Sequence, residues 1–183
     1  MMMTTASIIA KRTPPPRSCE AHWWEKKSLL PLHSPSTVMI SGCSNSGKTY
    51  FTKKILDISV GRSHVENHGI TGVRTAIYCH HRNVSVLFLT QNLYPPGRYA
   101  RTISLNCAYV ILFRNDRNQR QILYFASQIL PGQTTLFQTV LYKATAIRHG
   151  YLLISLSSFS EKQYQLRTNI FPGEDTVVYT PRV

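Results

Sequence analysis

At 183 residues, with 43% apolar and 16% charged residues, the chain has the make-up of one globular domain with a core, which excludes an intrinsically disordered polymer. No apolar run approaches the ~20 residues that span a bilayer, and Met1 to Arg12 carries its basic pair after a weakly apolar patch, the wrong order for a secretory signal. The 21 Lys and Arg against 8 Asp and Glu leave a formal charge of +13, which favours a polyanionic partner, nucleic acid ahead of an anionic membrane surface.

Residues 1–30 read as a basic tail. Pro14-Pro15-Pro16 is polyproline-like and enters neither sheet nor helix, while Trp23-Trp24 is expected to pack on the chain's own domain. The domain proper is expected over 31–183. Thr37-Val38-Met39-Ile40-Ser41 is short, β-branched and apolar, the pattern of a buried parallel strand. Gly42-Cys43-Ser44-Asn45-Ser46-Gly47-Lys48-Thr49 follows and fits G-x-x-x-x-G-K-[ST]. Tyr50 to Leu56 then reads as a helix with Phe51, Ile55 and Leu56 on its buried stripe.

Strand, glycine loop and helix in this order predict a phosphate site. Backbone N–H groups of the loop and the helix N-terminus converge on one anion. Gly42 and Gly47 supply the backbone freedom, Lys48 reaches the β- and γ-phosphates, and the Thr49 hydroxyl ligates Mg²⁺.

The interval 58–83 carries the least pattern. His64 and His68 lie four apart and Cys79-His80-His81 follows, which invites a zinc reading. The metalloprotease glutamate and any C-x-x-C are absent, so loop histidines are the expectation. Cys19, Cys43, Cys79 and Cys107 are widely spaced, as suits a reducing compartment.

Val84 to Thr90 is apolar on both faces and is expected to be central in a parallel sheet, ending at Gln91-Asn92 on the carboxyl edge where open α/β sheets bind ligands. Tyr94 to Arg101 is a basic, aromatic loop. Tyr109 to Phe113 is a further strand. Asp116 to Leu130 reads as a helix with Asp116 at its N-cap, stopped by Pro131-Gly132, and a second helix is expected over Thr134 to Ala144. Gly150 to Leu156 and Gln163 to Ile170 are predicted to pair as a hairpin across 157–162, with Val177 to Tyr179 as a short edge strand. The fold class is α/β, a P-loop NTPase with a mostly parallel sheet flanked by helices and a C-terminal β-hairpin.

Four further stretches are specific in their wording: His80-His81-Arg82-Asn83-Val84-Ser85-Val86, Leu89-Thr90-Gln91-Asn92-Leu93, Arg101-Thr102-Ile103-Ser104-Leu105-Asn106 and Leu166-Arg167-Thr168-Asn169-Ile170-Phe171-Pro172. Together with Ile40 to Thr49 they resemble the genome-packaging ATPases of the FtsK–HerA superfamily, in particular the poxvirus-like type of Polinton/adintovirus-like elements, over about residues 30–183. The resemblance implies a RecA-like core and a homo-oligomeric ring, usually hexameric. It also implies ATP and Mg²⁺ as cofactors and ATP-driven translocation of double-stranded DNA into a viral capsid through its portal vertex. The protein would then work inside the infected host cell or the virion, without a membrane partner. Carried over by position, Lys48 and Thr49 hold nucleotide and Mg²⁺, and Gln91 is the catalytic sensor of water or γ-phosphate. Arg82, Arg98 and Arg101 are the candidates for DNA contact or for an arginine acting on a neighbouring subunit.

One departure stands out. The family places a strand ending in Asp-Asp or Asp-Glu, the Walker B strand, before its His-His-Arg-Asn motif, whereas the only acid here between Ile58 and Asn83 is Glu66. That strand is expected to be deleted, so ATP binding is expected to persist and hydrolysis to be impaired, in a truncated or hydrolysis-deficient motor. The alternative is a non-catalytic basic DNA- or capsid-binding protein on the same fold. A small-molecule kinase would need a lid and an acidic base near its acceptor, and neither is legible.

Overall fold

The computed structural model describes residues 9–12, 32–33, 35–58, 85–96, 100–158 and 160–180. Among them the elements run β1 (Ile9–Arg12), β2 (Thr37–Ser41), α1 (Lys48–Ile58), β3 (Val86–Thr90), α2 (Ala100–Asn106), β4 (Tyr109–Phe113), α3 (Gln119–Ile129), α4 (Thr134–Ala144), β5 (Tyr151–Ser155), a 3₁₀ turn (Lys162–Tyr164), β6 (Leu166–Thr168) and β7 (Val177–Thr180). Strands β2 to β7 make a six-stranded mixed sheet, and β1 adds to its edge, in the order β1-β7-β6-β5-β4-β2-β3. Only β2 pairs in parallel, with β3 on one side and β4 on the other; all other pairings are antiparallel.

Alternation along the strands explains why β2, β4 and β5 are apolar throughout. Val38 and Ile40, Tyr109, Ile111 and Phe113, and Tyr151 and Leu153 face one side, where Phe51 and Ile55 of α1 cover them. Met39, Val110, Leu112, Leu152 and Ile154 face the other, under Ile122, Phe125 and Ala126 of α3 and Phe137, Val140 and Leu141 of α4. Each central strand is thus buried on both faces, as in a three-layer α/β fold. Phe51 is the pin of the first layer: its ring meets those of Tyr151 at 4.6 Å, Phe171 at 5.0 Å and Phe113 at 5.8 Å. Lys54, one turn on, pairs with Glu174 and lies 4.1 Å above the Phe171 ring, tying α1 to the segment after β6.

Several expectations change here. The sheet is mixed instead of mostly parallel, and the two-helix connection is the cause. One crossover helix returns the chain to the starting edge of a sheet, so the next strand runs parallel. Two successive helices, α3 and α4, bring it back to the carboxyl edge of β4, so β5 starts there and runs antiparallel, Phe113 opposite Tyr151. Among the described residues strand β3 pairs with β2 alone and stands last in the strand order, with Leu89 43% exposed. Its residues are only partly buried, Leu87 packing against the α1 side of the core, so an apolar run does not mark a central position.

Strand β7 is not at the edge, because β1, in the segment read as a tail, pairs outside it. Asp116 does not cap a helix: α3 begins at Gln119 after Asn118, and the Asp116 carboxylate accepts from Arg114 Nε at 3.2 Å instead. The short helix α2 was not anticipated. The hairpin of β5 and β6 was, and the register places Ile154 opposite Leu166.

Candidate functional site

The glycine loop leaves β2 between its two parallel neighbours, at the carboxyl edge of the sheet. The Gly42 N–H donates to the Thr90 carbonyl at 3.3 Å, which ties the start of the loop to the end of β3. Gly42 has no room for a side chain, since a Cβ would fall 2.6 Å from Phe113 Cβ. Asn45 at φ 60 and Gly47 at φ 108 turn the backbone through left-handed conformations. From there the chain enters α1, where the Phe51 N–H donates to the Gly47 carbonyl at 2.9 Å. The first turn of a helix leaves its N–H groups without intrahelical partners, and here they open at the loop.

The polar groups around the loop are not all satisfied internally. Lys48 Nζ donates to the Gly42 and Cys43 carbonyls, both at 2.6 Å, and desolvation draws the ammonium's pKa below the usual lysine value, partly offset by the Cys43 thiol nearby. Ser46 Oγ and Thr90 Oγ1 are buried and make no hydrogen bond. A buried hydroxyl left unpaired costs free energy that a polar ligand at the loop would recover. A phosphate chain therefore fits these residues. For Mg²⁺ the fit is partial: Thr49 is exposed in the first turn of α1, while no group of three potential metal ligands occurs among the described residues.

Gln91 is exposed just beyond β3. Its carbonyl accepts from Asn115 Nδ2 at 3.1 Å and Asn118 Nδ2 at 3.5 Å, and the Asn118 amide also bonds Asn92. Asn115 is buried, so the segment after β4 fixes the segment after β3 from beneath. On the other side of the loop a cleft of about 370 Å³ opens, with Cys43 to Ser46 on one wall, Thr145 to Gly150 on another, and Arg114 and Asp116 between. The Cys43 thiol donates to the Arg114 carbonyl at 3.3 Å, which closes the join.

The structure thus brings residues 42–49 together beside Gln91. Arg101 is exposed on α2, and Arg82 and Arg98 lie outside the described residues, as do His64, His68, Cys79, His80 and His81. The interval expected to lack a Walker B strand is likewise outside them, Ile58 apart. Among described acids, Glu174 is held by Lys54, and Asp116 is the one that lines the cleft. Asn115, Asn118, Arg148 and His149 escaped the sequence reading. The available signal was the helix pair before Gly150, which returns the chain to this edge. Compared with protein-family models, with curated proteins and with solved structures, the chain matches none.

Proposed function

We propose that this chain is an ATP-binding P-loop protein of RecA-like type that serves as a DNA-translocating, genome-packaging motor subunit. The observation that carries the proposal is the glycine loop, with Lys48 at a helix N-terminus, on a strand flanked by parallel neighbours, one of which, β3, is followed directly by Gln91. In this reading the polyphosphate lies along the loop N–H groups. Lys48, released from the Gly42 and Cys43 carbonyls, takes a phosphate oxygen, an exchange of neutral acceptors for a charged one. The Thr49 hydroxyl would hold Mg²⁺, which supplies charge neutralisation when bound. Gln91, its backbone held by Asn115 and Asn118, orients water for in-line attack on the γ-phosphate. Subunits assemble as a ring around duplex DNA at a capsid vertex, and Arg101 is the described candidate for a contact made across subunits.

A specific observation favours the non-catalytic alternative. Asp116 is the described acid that lines the cleft; it pairs with Arg114 in an exposed contact, and Thr49 is not among the residues lining that cleft. Loss of one preorganised group of this kind lowers turnover by about 10²–10³.

The test has two parts. Calorimetry should show ATP·Mg²⁺ binding that Lys48→Ala abolishes; equal affinity for the two proteins would remove the nucleotide reading. Hydrolysis should be far below the ~1–100 s⁻¹ of an ordinary ATPase, and whatever remains should rise with duplex DNA and fall in Gln91→Ala. Binding of ATP and DNA without any DNA-stimulated turnover would select the non-catalytic alternative.

A further inference from the structure

The cleft and Gln91 lie on opposite sides of the loop. Gln91 follows β3, whereas Arg114 follows β4 and Gly150 precedes β5, and the sheet order is β5-β4-β2-β3. A nucleotide with its phosphates on the loop and its terminal phosphate toward Gln91 must send its nucleoside end toward β5. The turn Thr145–Gly150 is what it meets.

That turn is pressed against the loop in a conformation that needs explaining. His149 holds φ 60, a left-handed backbone that costs a non-glycine residue of order 1 kcal/mol or more. Its imidazole occupies the space a Gly47 side chain would fill, with Nδ1 only 2.6 Å from the position of a Cβ there. The same ring stacks on Tyr50, centroids 5.8 Å apart and planes at 29°. Ile147, also lining the cleft, is 64% exposed, and Tyr50 behind the imidazole is 63% exposed. An aromatic pair and an exposed aliphatic side chain thus flank a polar, phosphate-sized loop. Flat apolar faces next to phosphate-binding groups match the two ends of a nucleotide.

Resting on the nucleotide reading above, we infer that the Thr145–Gly150 turn is the nucleobase platform of the site. The base packs on the His149 ring, which Tyr50 backs, with Ile147 at its edge and the Arg148 guanidinium at the rim toward ribose and phosphate. His149 is then a specificity-determining residue, separating a nucleoside triphosphate from a bare polyphosphate.

The experiment compares ATP with inorganic tripolyphosphate, measured by calorimetry on the full chain, for wild type, His149→Asn, Ile147→Ser and Lys48→Ala. Asn tolerates the left-handed backbone at 149, and Ile147 is exposed, so both variants leave the fold in place. Wild type should prefer ATP. His149→Asn should lose about tenfold in ATP affinity, the scale of one base–aromatic stack, with tripolyphosphate affinity unchanged, and Ile147→Ser should move in the same direction. The inference is overturned if both variants keep the wild-type preference, or if His149→Asn weakens both ligands equally, which would make the ring a prop for the loop. In either case Lys48→Ala would still abolish binding of both ligands and the nucleotide reading would stand. Wild type that binds neither ligand removes both.

Discussion

Two residues of the loop carry constraints sharp enough to predict from. Gly47 combines φ 108 with a Cβ position already filled by His149. Gly47→Ala therefore meets strain and overlap together, at a cost of about 1–3 kcal/mol. It should lower the unfolding midpoint and weaken nucleotide binding as severely as Lys48→Ala does; a variant with wild-type affinity would show that the loop geometry is not what binds. Lys48 makes a different prediction, about pH. Desolvation favours its neutral form, so its pKa lies below the ordinary 10.5. An anion at the loop favours the ammonium and raises that pKa. Affinity is therefore complete at pH below the free-state pKa and falls as pH rises through it, beginning at a lower pH than a solvent lysine would give. Calorimetric titrations carried from neutral pH to above the ordinary lysine pKa should show the decline, and a flat profile across that whole range would mean that Lys48 does not meet the ligand.

At the scale of elements, helix α1 is both the loop's foundation and one layer of the core. Its grip depends on Phe51, which is 2% exposed and meets the rings of Phe113, Tyr151 and Phe171. Phe51→Ala would leave a cavity among these rings and should cost about 3–5 kcal/mol in denaturant unfolding. Because Thr49 and Lys48 sit one turn earlier on the same helix, nucleotide affinity should fall with it, whereas the Lys54–Glu174 pair, partly exposed, should contribute under about 1 kcal/mol when removed. Equal and small effects from Phe51→Ala and Lys54→Ala would contradict this division. The edge between β3 and β4 is organised differently, through side-chain amides. Asn115 and Asn118 hold the Gln91 backbone, so Asn115→Ala should reduce any turnover without a matching loss of ATP affinity.

For the whole molecule the dominant fact is the formal charge of +13. Duplex DNA binding should be largely independent of sequence, because Lys and Arg contacts to phosphate release counterions, and affinity should fall by about 10³-fold or more between ~50 and ~200 mM salt. Filter-binding or fluorescence titrations over that range decide it; an affinity indifferent to salt would rule out the polyanion reading.

Local chemistry explains what could be read from the chain alone. The strand–loop–helix of residues 37–58, the runs of β4 and β5, the α3–α4 pair and the β5–β6 hairpin follow from period, glycine placement and burial on both faces, all of which are encoded within a few neighbouring residues. The glycine loop between β2 and α1 was legible for the same reason: its backbone turns, glycines and lysine are contiguous. Other features were settled only by the tertiary structure, because they depend on which surfaces the connections bring together. An apolar strand such as β3 carries no mark of whether it stands inside or at the edge of a sheet. The antiparallel start of β5 follows from the even number of helices before it. Its consequences are the placement of His149 against Gly47 and the wall of the cleft, far along the chain from the loop they complete. Asn115 beneath Gln91 is of the same kind, a contact made between two strand ends that no local pattern relates.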